Sequence, residues 1–129
     1  MSAAVLNKPY KVKHLCAIVC QETVYKWLQW IGSQSVDTIV SRAVFDASGD
    51  YPGTTRDAFP PNTAKFRSAY GDGITNMLIE EANITRRMQS YSDKDWVYKG
   101  YGLFQYDLQH IKRDESFFTQ KNGIISTSA

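Results

Sequence analysis

The sequence predicts a mainly α fold in one domain, residues 1–129. Two long stretches, Tyr10 to Ile31 and Asp72 to Gln89, carry apolar residues at helical spacing, and a third helical stretch follows a glycine-framed turn at Gly100–Asp107. Between the two long stretches, Asp46 to Pro61 is rich in turn formers (Ser48-Gly49-Asp50, Pro52-Gly53, Pro60-Pro61) and reads as irregular.

In the first stretch Val12, Leu15, Cys16, Val19, Thr23, Trp27 and Trp30 form a stripe, which Ile18, Val24, Leu28 and Ile31 widen. A helix apolar over so much of its circumference is expected at the centre, packed from several sides, and Gly32 ends it. Val36 to Phe45 reads as a short helix, with strand as the alternative because of its β-branched residues. Helices are expected over Asn62–Tyr70 and Asp72–Gln89, the latter with Ile74, Met77, Leu78, Glu81, Ile84, Thr85 and Met88 on one face. Ser92-x-x-Asp95 resembles a capping box leading into Trp96. Asp107 is placed to cap a helix through Phe118 with Leu108, Ile111 and Phe118 inward, and Lys121 onward reads as a loose tail.

Composition narrows the function classes. The net charge of +2 comes from scattered basic residues, so nucleic acid is not an expected partner. Aromatic residues make up 13% of the chain, which fits a sugar-stacking cleft but fits a core of large side chains better. Cys16 and Cys20, four apart on one helix, suit a disulfide poorly and are expected as reduced, buried thiols. His14 nearby does not complete a metal-binding pattern, so no metal or cofactor is expected. Asp46-x-Ser48-Gly49-Asp50 lacks the remaining ligands of a calcium loop and reads as turn chemistry. Met1 to His14 has no apolar signal core, and no run reaches membrane-span length. The expected location is therefore cytoplasmic as synthesised, with export by another route, or within a larger or phage-encoded lytic system.

Two places carry the residue types of a glycan-cleaving cleft. Glu22 shares a helix face with Ile18 and Tyr25, where apolar neighbours would raise a carboxyl pKa toward that of a general acid. The competing reading is a glutamate at the rim of the stripe, bonded to backbone or to Lys26. Gly100-Tyr101-Gly102-Leu103-Phe104-Gln105-Tyr106-Asp107 allows close backbone approach and presents Gln105 and Asp107 beside it. Asp107 could hold a water or stabilise charge at a sugar carbon, and it could equally be a helix cap. His110 reads as a satisfied surface residue.

Cys20-Gln21-Glu22-Thr23 resembles the glutamate–Ser/Thr signature of lysozyme-like muramidases. Gly102-Leu103-Phe104-Gln105-Tyr106-Asp107 resembles the Gly-Leu-Met-Gln turn of goose-type lysozymes and lytic transglycosylases, including the aspartate two residues after the glutamine in goose-type enzymes. The resemblance implies a lysozyme-like helical domain in which Gly32 to Lys99 is a long irregular insertion. It implies cleavage of the β-1,4 bond between N-acetylmuramic acid and N-acetylglucosamine in peptidoglycan or a related aminosugar polymer. Glu22 would be the general acid and Asp107 the residue that positions water. Tyr101, Gln105 and Tyr106 would line the sugar cleft, and Tyr25 shares the Glu22 face.

Three features depart from those families, the first being that Glu22 and Gln105 lie much farther apart in sequence than in those families, which is what makes Gly32 to Lys99 an insertion. The nearest counterpart of the transglycosylase Ala-Tyr-Asn motif, Ala69-Tyr70-Gly71-Asp72, precedes the glycine turn and is not carried over. The residues after Asp107 are too few for the helices that close the fold, which implies either a truncated chain or an incomplete cleft. The alternatives to an enzyme are a non-catalytic glycan- or protein-binding module on the same scaffold and a small helical interaction protein.

Overall fold

A computed structural model describes residues 9–119. The elements, in order, are α1 (Val12–Trp27), α2 (Val36–Ser41), β1 (Val44–Phe45), α3 (Thr63–Tyr70), α4 (Asp72–Met88), β2 (Gly100–Tyr101), β3 (Tyr106–Asp107), a 3-10 turn (Leu108–His110) and α5 (Glu115–Thr119). About half of the described residues are helical, and the strands form an antiparallel sheet in the order β1-β2-β3. This corrects the expected mainly α, lysozyme-like helical fold: the architecture is mixed. Each strand is two residues long, too short to show the alternation by which strands are read.

The fold is organised on α4, which packs against α3 and β1. Its Leu78 and Ala82 are buried together with Phe66 of α3, Val44 of β1, Tyr101 of β2, and Val97, Leu108 and Ile111 from the connections. Each such apolar side chain contributes on the order of 1.5–3 kcal/mol. Asn62 caps α3 through its side chain, which accepts from Lys65 N at 2.9 Å. A smaller cluster of Trp30, Ile39, Ala43 and Phe45 lies to one side, with Trp27, Met88 and Leu103 against it.

Five expectations change. The first helix is peripheral rather than central: Thr23 is its one buried residue, and Ile18 is 45% exposed. Its apolar residues are spread around the circumference, so no single face is apolar enough to seat the whole helix, and it docks by its C-terminal end. Cys16 and Cys20 are accordingly exposed free thiols, not buried ones. Val36–Phe45 divides into helix α2 and strand β1, so both alternatives hold over part of it. The helix expected from Asp107 through Phe118 is interrupted, with a 3-10 turn, residues 111–114 between, and then α5. The capped turn expected at Ser92–Asp95 does not form a hydrogen-bonded turn, and Asp93 pairs with Arg87 of α4 instead. The tail from Lys121 lies outside the described residues. None of the helices among the described residues is long and apolar enough to cross a membrane.

Candidate functional site

Glu22 meets the glycine turn because of its neighbour. The Thr23 hydroxyl is buried and lies 3.1 Å from Val19 O within α1 and 3.2 Å from Leu103 O in the β2–β3 turn, so it donates to the two carbonyls. A second tie is Lys26 Nζ, which donates to Gln89 Oε1 at the end of α4 at 2.9 Å. With these anchors at 23 and 26, Glu22 and Tyr25 face the hairpin.

The hairpin is shaped by its glycines and by Gln105. Gly100 pairs with Asp107 and Tyr101 with Tyr106. A Cβ on Gly100 would lie 2.2 Å from Gln105 Oε1, so only glycine admits the glutamine side chain there. Gln105 adopts a positive φ of 51°, and its Nε2 donates to Ala43 O at 3.2 Å and Gly102 O at 2.9 Å. The glutamine amide thus fastens the turn onto the segment leading into β1.

The other wall begins where β1 ends. Asp46 has φ 76°, a left-handed conformation that costs a non-glycine residue roughly 1–3 kcal/mol. The conformation is held by Lys99 N donating to Asp46 O at 2.9 Å and by Ser48 N donating to Asp46 Oδ1 at 2.9 Å. That last bond is the turn chemistry expected for this segment. Behind it, the Lys99 ammonium is fully buried and hydrogen-bonds Asp50, and burial pulls the Lys99 pKa below the ordinary lysine value against the opposing pull of Asp50.

A groove of about 440 Å³ lies between these walls, lined by Glu22, Tyr25, Phe45, Asp46, Gly100, Gln105 and Asp107. Three carboxylates from three separate segments therefore converge on it. Two of them are joined from behind by Arg56, whose Nη1 donates to Asp46 Oδ2 at 3.1 Å and whose Nη2 lies 2.6 Å from both Asp107 oxygens. Asp107 also accepts from Gln109 N at 2.8 Å, so it does cap the 3-10 turn. Glu22 is exposed and makes no hydrogen bond or ion pair among the described residues. Ile18 and Tyr25 beside it are exposed as well, so they do not wrap the carboxyl in an apolar pocket.

Of the residues singled out in the sequence, Glu22, Tyr25, Gln105 and Asp107 come together in the groove, while Tyr101 and Tyr106 do not line it. Tyr101 is buried edge-on against Phe118, and burial pushes its phenol pKa far up. The Tyr106 ring packs on Phe117 and Phe118, stacks on His110, and its hydroxyl bonds Asp114. Both side chains fall on the core side of a hairpin whose register the sequence did not reveal.

Asp46 and Arg56 were not among the predicted site residues. A carboxylate directly after a short β-branched and aromatic run was the one available signal for Asp46; nothing in the sequence marks Arg56. No group of three or more His, Cys, Asp or Glu is arranged to hold a metal ion among the described residues. Two larger concavities, of about 570 and 560 Å³, lie elsewhere, so the site is selected by its converging acids rather than by volume. No known protein family, characterised protein or solved structure matches this chain.

Proposed function

We propose that this groove cleaves the β-1,4 glycosidic bond of peptidoglycan or a related aminosugar polymer, with Glu22 as the proton donor. The observation that carries the reading is the opposition of one acid that is unpaired among the described residues, Glu22, to a pair of acids, Asp46 and Asp107, held by one arginine. Glu22 is free to reach the glycosidic oxygen. Its proton passes to that oxygen as the bond to the anomeric carbon breaks, and the bonding electron pair leaves with the oxygen. Positive charge then develops on the sugar ring, facing the Asp46 and Asp107 carboxylates. Water adds to the anomeric carbon and gives its proton to a groove carboxylate; if a hydroxyl of the same sugar adds instead, the product is an anhydro sugar.

Three further features support this assignment. Asp46 and Gln105, both lining the groove, are two of the three non-glycine residues with positive φ among those described, and such conformations concentrate at functional sites. The groove carries acids and no basic residue in its lining, which suits a cationic transition state. The exposed Tyr25 ring offers a face for a sugar.

A second reading, glycan binding without cleavage, is favoured by one observation. Arg56 already engages both oxygens of Asp107, which leaves that carboxylate fewer free lone pairs with which to hold a water. Release of soluble muropeptides from purified peptidoglycan separates the two. Wild type is expected to release them and Glu22→Gln to lose at least about a hundredfold in rate, the usual worth of a general acid. Equal release by both proteins would remove Glu22 from the chemistry. Absence of release from wild type, with retention on peptidoglycan that Tyr25→Ala abolishes, would establish the binding module instead.

A further inference from the structure

A second concavity, of about 570 Å³, opens beside the C-terminal end of α4, and Tyr51, Arg86, Tyr91, Lys94 and Trp96 contribute to its lining. Arg86 is its unusual member. The residue is 3% exposed, and its Nη1 donates to Asn83 Oδ1 at 2.8 Å and Trp96 O at 2.9 Å. Its guanidinium carbon sits 4.3 Å from the Tyr98 ring centre. Nη2 is buried with no hydrogen-bond partner among the described residues. Arg42, Arg56, Arg67, Arg87 and Arg113 each pair with an Asp or Glu, whereas Arg86 has no carboxylate partner among those residues. A buried guanidinium without a counter-ion is costly unless an anion arrives to pair with it.

The rim supplies the rest of a binding site. Trp96 stands edge-on to Tyr51 at 6.4 Å, and Lys94 Nζ lies 5.7 Å from the Trp96 ring centre. Ser90, also in the lining, has φ 61° and is the third non-glycine residue of positive φ. A large aromatic face beside two cations suits a ring that bears a carboxylate. Position favours a polymer as its source. Lys26 Nζ is 5.5 Å from the Tyr91 ring of this concavity and 5.7 Å from the Tyr25 ring of the acidic groove, so the two sites adjoin across one side chain.

We propose that this concavity binds a carboxylate-bearing sugar unit of the same polymer, with the ring on Trp96 and the carboxylate on Arg86 and Lys94. The identity of the ligand as a saccharide rests on the glycan reading of the groove; the anion site itself does not.

The test is equilibrium binding, by titration calorimetry, of the N-acetylglucosamine–N-acetylmuramic acid disaccharide with its lactyl carboxylate free, of its methyl ester, and of sodium lactate alone. Wild type is expected to bind the free acid about tenfold more tightly than the ester, the scale of one charge-assisted hydrogen bond set. Lys94→Gln should reduce that ratio severalfold and Trp96→Leu should weaken both sugars alike. Arg86→Gln should erase the ratio; because Arg86 is buried, Lys94→Gln serves as the variant on an exposed residue. Equal affinity for acid and ester, or a ratio unchanged in Lys94→Gln and Arg86→Gln, would overturn the proposal. Lactate binding as tightly as the disaccharide would overturn the assignment to a sugar. Glu22→Gln is expected to lose cleavage and keep the full acid-over-ester ratio, so cleavage unchanged in Glu22→Gln with the ratio intact would defeat the reading of the groove alone.

Discussion

Helices α1 and α4 are nearly equal in length, at 16 and 17 residues, yet the first buries one side chain and the second seven. The number of apolar residues does not explain the difference; their arrangement does. In α4, Thr75, Leu78, Ile79, Ala82, Asn83, Thr85 and Arg86 follow helical spacing on one side, with Glu80 and Arg87 outside. In α1 the apolar residues point in several directions, so whichever side docks, others stay in solvent. The core is built on the helix with one face. The helix without one is left at the edge, where its Glu22 overlooks a groove.

The sharpest test of that contrast is a matched pair of truncations. Leu78→Ala is expected to destabilise the protein by about 3 kcal/mol, because it empties a fully buried position. Ile18→Ala should change stability by less than about 0.5 kcal/mol, as expected of an exposed site. Urea unfolding of both variants measures this, and comparable losses would mean that α1 is packed as tightly as α4.

Next in size is the joint between α1 and the hairpin. Thr23→Val keeps the volume and removes the donor to Leu103 O, which should cost about 1–2 kcal/mol. If α1 positions Glu22 as described, muropeptide release should fall by a larger factor than stability alone accounts for. A variant with lowered stability but unchanged release would separate the joint from the site.

The smallest effect concerns the core side of the hairpin. Tyr101 is buried and its hydroxyl has no hydrogen-bond partner among the described residues, so Tyr101→Phe should stabilise by about 1 kcal/mol near neutrality. Its folded-state pKa is raised above the ordinary 10.0, so its contribution is fully present below pH 10 and is lost as pH rises above that value. Tyr101→Phe should therefore remain folded to higher pH than wild type in an alkaline titration followed by circular dichroism. An unchanged alkaline midpoint would mean that other groups set that limit.

What could be read from the sequence follows the same division. Helices α3 and α4 lie within a residue of their expected bounds, because an Asn62 cap and a Gly71 break are local signals, but of the face expected on α4 only Leu78 and Thr85 are buried. The sheet was not legible, since Val44 finds Tyr101 and Phe45 finds Gly100 across a long sequence separation, with two residues per strand. In the groove, Glu22, Gln105 and Asp107 were visible as polar residues set against apolar or glycine-rich surroundings. Asp46 could be read only as a turn residue, a role it does fill, and its second role depends on Arg56 arriving from an irregular loop. Tyr101 and Tyr106 show the limit of reading a cleft from residue type, because a hairpin's register decides which aromatic faces the sugar side and which the core.

The central claim is that the surface between the end of α1 and the β2–β3 hairpin is where this protein meets its ligand. Backbone amide chemical shifts recorded while soluble peptidoglycan fragments are titrated into Glu22→Gln test it most directly. The account predicts that the largest perturbations fall on Tyr25, Asp46, Gly100, Gln105 and Asp107. Perturbations that spare these residues and gather on α3, or their absence at saturating fragment, would contradict it.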